Sequence, residues 1–167
     1  MAEKIRVCPE AAAERANSSA ERCAGAWAKA LLLCNRSFGR VIGELDVAMD
    51  TLAVCSAAGT RDAFAVMEHA ADIIQRKQRI LNLKIITRDM LHSLPGAERR
   101  LLARRYITGS SAERISRDDG IGLRTFYRRL DAALALCGGY LKRKDYDNAY
   151  FEGRYGGEGW IIRKMGI

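Results

Sequence analysis

The sequence is short of the residues on which most catalytic and metal centres are built. Its only histidines are His69 and His92, and neither lies near a cysteine group. A metal site, which needs clustered Cys and His, is therefore not expected. The cysteines are Cys8, Cys23, Cys34, Cys55 and Cys137, an odd set with no CxxC pair, which argues against a disulfide framework. Four of them fall on apolar helical faces, where reduced Cys packs as a small hydrophobe. No apolar run approaches the ~20 residues of a membrane span. The opening MAEKIRVCPEAAAERANSS is polar and lacks the apolar core of a secretory leader. A soluble, cytoplasmic protein with no membrane partner is expected. Walker-type Gly-Lys-Ser/Thr, G-x-S-x-G and paired carboxylates in a plausible cleft are all missing. Neither an enzyme nor a cofactor is expected.

What is present points to a helical, basic chain. The 167 residues are 49% hydrophobic and 29% charged, with a formal net charge of +8. That balance suits a globular chain of one domain or two small ones. The excess of positive charge favours a polyanion or an acidic surface as partner.

Residues 1–17 show no firm periodicity and include Pro9, which reads as a mobile N-terminal arm. Ser18-Ser19-Ala20-Glu21 has the spacing of a capping box, and a helix is expected to follow to about Asn35. Phe38, Ile42, Leu45, Met49, Leu52 and Ser56 then mark one seam of a second helix ending near Gly59. Thr60 offers a cap for a third, in which Phe64, Met67, Ala71, Ile74, Gln78, Leu81 and Ile85 keep a heptad spacing. Two arrangements bury such a stripe: an antiparallel bundle within the chain, or a homodimer through the 38–91 helices. Residues 18–94 thus read as a helical bundle or oligomerisation region.

Leu94-Pro95 marks a break, with a new helix beginning near Gly96. Residues 95–141 hold three helical segments. Gly109 suits a left-handed helix end, Ser110-Ser111-Ala112-Glu113 has capping-box spacing, and Asp118-Asp119-Gly120-Ile121-Gly122 reads as a turn. Leu101, Leu102, Ile107, Ile115, Ile121, Phe126, Leu130 and Leu134 can share one small core. This is the layout of a helix-turn-helix. Leu123, Arg124, Tyr127 and Arg128 should then face outward at the start of the last helix, where guanidinium groups can pair with guanine edges. Thr125 and Arg129 suit phosphate contacts, as do Arg114 and Arg117 on the middle helix. Beyond Leu141, the basic run opens with Lys142 and Arg143, two further backbone candidates. Residues 142–167 are rich in Gly and aromatics and read as a basic tail or a short β-hairpin around Gly153–Gly159. The expected class is all-α, with long N-terminal helices before a three-helix module and that hairpin at the end.

The run Leu94-Pro95, Glu98-Arg99, Tyr106, Gly109, Ile115, Gly120-Ile121, Thr125-Phe126-Tyr127-Arg128 and Ala133-Leu134 resembles region 4 of bacterial sigma-70 factors. It is closer still to the sigma-region-4-like regulators of phages and prophages, the ArpU and RinA types. The resemblance covers about 48 of the 167 residues. Two positions depart from it: Ser116 stands where Ala is usual, and Gly122 where a Ser cap is usual. It implies double-stranded DNA as partner, RNA polymerase as a second partner, and transcription regulation as function. Two alternatives stand beside it. A minimal sigma factor would need aromatic and acidic promoter-melting motifs, whereas residues 18–91 read as plain heptads. A phage packaging protein of the small terminase type also joins a helix-turn-helix to oligomerising helices, and would form a large ring.

Overall fold

A computed structural model describes residues 9–57 and 62–165, with side-chain environments from residue 25 to 164. Helix α1 (Pro9–Ala57) is continuous over 49 residues, a rod of about 74 Å. It begins before Ser18 and runs through Asn35, so the arm over residues 9–17 and the break before Phe38 are both replaced by helix. The break before Phe38 is absent because the apolar stripe there never loses phase: Leu31, Cys34, Phe38, Val41 and Leu45 recur at 3–4-residue spacing, and all are buried. Residues 1–8 and Thr60 lie outside the described residues.

Helix α2 (Ala63–His92) starts on Asp62, whose carboxylate accepts from Phe64 N–H. It folds back against α1, and Lys77 pairs with Asp46 across the hairpin. The face that α2 buries is Ile73, Ile80, Leu83, Thr87 and Met90. The stripe singled out in the sequence lies elsewhere: Phe64, Met67, Ile74, Leu81 and Ile85 are exposed. The helix carries two overlapping apolar patterns, and the one that packs in the fold is not the longer heptad.

Three helical segments follow. Helix α3 (Gly96–Leu102) continues as a π-type turn over Ala103–Ile107, α4 spans Ala112–Asp118, and α5 spans Leu123–Arg143. Both the π-type turn and α5 pack on α1, so the chain's second half is built onto the same rod as its first.

The C-terminal hairpin does not form. Residues 148–155 and 159–165 are helices, α6 (Asn148–Tyr155) and α7 (Gly159–Met165), and no strand occurs among the described residues. Asp147 caps α6 by accepting from Tyr150 N–H at 2.8 Å. The aromatics of this segment sit at helical spacing: Phe151 and Tyr155 are buried, with Tyr146 and Tyr150 packed beside them. Trp27 of α1 stacks on Phe151 at 4.6 Å, and its indole N–H donates to Asn148 Oδ1 at 2.8 Å. Gly156 turns the chain where an added Cβ would stand 2.5 Å from Glu152 O. Glu158, nearly buried, accepts from Arg76 at 3.1 Å and from the Trp160 indole at 2.9 Å, which ties α7 to α2. Trp160 in turn meets Phe38 edge-on. The final segment is part of the core and not a tail.

All seven helices thus give an all-α fold among the described residues, and no helix there is long and apolar enough to cross a membrane. Burial pushes the Cys34 thiol up to about 11 and the Cys137 thiol up to about 12. Both should therefore stay protonated and inert. At mildly alkaline pH, iodoacetamide is expected to leave Cys34 and Cys137 unmodified in the native chain and to label both in urea, as read by peptide mass mapping.

Candidate nucleic-acid interface

The candidate surface is positioned by the short α3–α5 unit. Pro95 precedes α3 with φ −54° and ψ 152°, and its carbonyl accepts from Arg99 N–H, as the Leu94-Pro95 break anticipates. Leu102, Ala112, Ile115, Phe126 and Leu130 are buried together, with Leu101, Ile107, Ile121 and Leu134 packed around them. Every member of the small core expected from the sequence is in it.

The connection from α3 to α4 turns on Gly109, whose φ is +73°. There the Arg36 guanidinium, reaching across from α1, occupies the space a side chain would need: an added Cβ would lie 2.5 Å from its Nη2. Arg36 Nε donates to Ile107 O at 2.7 Å, and Arg105 Nη1 to Ser110 O at 3.2 Å. Two arginines thus satisfy one carbonyl at the helix end and one in the loop that follows it. The cap of α4 falls one residue later than the capping-box spacing suggests. Ser111, not Ser110, accepts from Arg114 N–H, at 3.2 Å, while Ser110 Oγ lies 3.3 Å from Thr108 Oγ1. The Glu113 carboxylate bonds its own backbone N–H and the Ser111 hydroxyl, which holds it below the usual carboxylate range.

Between α4 and α5 the chain turns at Gly120, φ +63°, with Ile121 N–H donating to Ser116 O at 2.9 Å. Arg104 clamps this turn. Its Nη2 lies 2.6 Å from Asp118 Oδ2 and its Nη1 2.5 Å from Asp119 Oδ1. The fork fixes the turn against the π-type turn that ends α3 and offsets part of the charge of its two carboxylates. No periodic signal announced this contact, because its partners are 14 and 15 residues apart in the chain. Gly122 then starts α5 without a side-chain cap.

The first two turns of α5 present Leu123, Arg124, Tyr127 and Arg128 to solvent, with Thr125 half-buried and Phe126 and Leu130 turned inward. Tyr127 is held edge-on against Phe126. No acidic residue occurs in the opening turn of α5. Arg114 and Arg117 are exposed on α4. Arg129 is exposed as well, and lines a cleft of about 540 Å³ between α3 and α5, together with Glu98 and Asp119. Lys142 and Arg143 are exposed at the far end of α5, about 27 Å along the helix from Arg124. They are not gathered into the same patch.

Two substitutions test this construction. Gly109→Ala forces a left-handed backbone on a side chain and displaces Arg36, and should lower unfolding free energy by about 2 kcal/mol. Ser116 is buried, and its Oγ has no hydrogen-bond partner. Ser116→Ala should therefore raise stability by about 1 kcal/mol, read from urea midpoints. No protein-family model, curated protein or solved structure matches this chain.

Proposed function

We propose that the protein is a cytoplasmic, sequence-specific binder of double-stranded DNA that reads the major groove with the first turns of α5. Its expected role is that of a phage- or prophage-type transcription regulator. One observation carries the reading. Leu123, Arg124, Tyr127 and Arg128 form an exposed face at the start of a 21-residue helix whose opposite side is anchored by Phe126 and Leu130. A duplex accepts a helix in that way, and arginine pairs bidentately with guanine O6 and N7. Electrostatics favour the same face. The two carboxylates nearest the turn are already occupied by Arg104, so they repel an approaching phosphate less. Arg114 and Arg117 on α4 suit backbone contacts, which position the protein without specifying sequence. Thr125 joins them at the helix start.

The test begins with sites selected from a random DNA pool. Arg124→Ala and Arg128→Ala should each cost about 1–3 kcal/mol on the selected site and relax specificity there. Arg117→Ala should weaken all sequences alike and reduce the salt dependence by about one phosphate contact. Helical circular dichroism should be unchanged in all three. Equal affinity of the Arg124→Ala/Arg128→Ala double variant and the parent chain would rule out α5 as the reading helix.

A further inference from the structure

Helix α2 has two apolar faces, and the fold covers only one. Phe64, Met67, Ile74, Leu81 and Ile85 are 67%, 70%, 53%, 36% and 45% exposed. At 3.6 residues per turn their mean direction lies about 170° around the helix from that of the buried Ile73, Ile80, Leu83 and Met90. Helix α1 packs on that buried side; Phe64, Met67 and Ile74 stand open to solvent, while Leu81 and Ile85 line a groove of about 680 Å³ together with Asn35 of α1 and Ala103 and Ile107. Yet the exposed set, completed by Ala71 and Gln78, alternates three- and four-residue steps from Phe64 to Ile85. Supercoiled helices require that spacing, and a solvated face has no use for it.

We propose that this face pairs with the same face of a second copy of the chain, as a parallel, in-register coiled coil. The area is sufficient. A large apolar side chain offers roughly 200 Å², so the five at these exposures present about 500 Å² per copy and ~1,000 Å² for the pair, the threshold of a specific interface. The polar positions select the orientation. In a parallel pair Gln78 faces Gln78 of the second copy, amide to amide, and Lys84 flanks Asp89 of the second copy. An antiparallel pair of the same length would set Gln78 against Ile74, leaving an orphan amide. Arg88 takes the next seam position after Ile85 and ends the stripe. The pairing does not rest on the DNA reading, and a chain with both α5 arginines removed still dimerises.

Sedimentation equilibrium on the full chain tests this directly. The parent chain is expected to be dimeric in the micromolar range. Ile74→Lys should weaken the dimer by roughly a hundredfold while leaving the circular dichroism spectrum unchanged, because Ile74 contributes nothing to the monomer's core. Orientation is read from Gln78→Cys under mild oxidation. The parallel pair yields a disulfide-linked dimer beyond whatever the parent's own thiols form. A parent chain that stays monomeric, or an Ile74→Lys chain that dimerises as well as the parent, overturns the interface. A dimer that Gln78→Cys fails to cross-link overturns the parallel register.

Discussion

The buried stripe of α1 is the constraint on which the rest depends. Trp27, Leu31, Leu32, Cys34 and Phe38 are almost wholly removed from solvent, and each large one contributes roughly 1.5–3 kcal/mol by burial. Helices α2, α5, α6 and α7, and the π-type turn, all pack on this one rod. Their mutual positions are therefore set through α1 more than through one another. The Trp27–Phe151 stack and the Phe38–Trp160 edge contact show how far this goes: aromatic residues separated by more than a hundred positions are brought onto one helix face.

Eight of the arginines fall into two groups with different physics. Arg36, Arg76, Arg104 and Arg105 each hold a carbonyl or a carboxylate and serve as struts between elements. A planar guanidinium with several donors suits this work, since it bridges two acceptors at fixed geometry. Arg114, Arg117, Arg124 and Arg128 are exposed, on the two helices that flank the Gly120 turn. Net charge alone cannot separate these populations, and so +8 is a poor guide to where a polyanion would sit.

Local chemistry made part of this fold readable in the sequence. Leu94-Pro95, Gly109 and Gly120 act over a few residues, and each appears where expected with the backbone geometry it demands. The outward set on α5 was legible for the same reason: one buried Phe126 fixes which way its neighbours point. Long-range decisions were not legible. Helix α2 offered two apolar patterns of similar strength, and only the presence of α1 decides which is covered. Residues 150–162 read as a hairpin because aromatic and glycine clusters suggest strands, yet Trp27 offers Phe151 a helical partner more than a hundred positions away. The fork of Arg104 to Asp118 and Asp119 likewise depends on tertiary proximity. The spacing to Glu113 favours Ser110 as the cap, yet Ser111 takes that place and Glu113 meets the Ser111 hydroxyl.

The Arg36 contact at Gly109 has a consequence for how this chain can be divided. A small helical unit with a core of its own can in principle be excised, keep its shape and be joined to other proteins. Here the loop between α3 and α4 is closed by a side chain from the N-terminal rod, and α5 rests on that rod along its buried side. The unit from Gly96 to Leu141 borrows its wall from residues that precede it by sixty positions or more. Its autonomy ends where α1 is removed, and any recombination that preserves the candidate surface must carry the rod along with it.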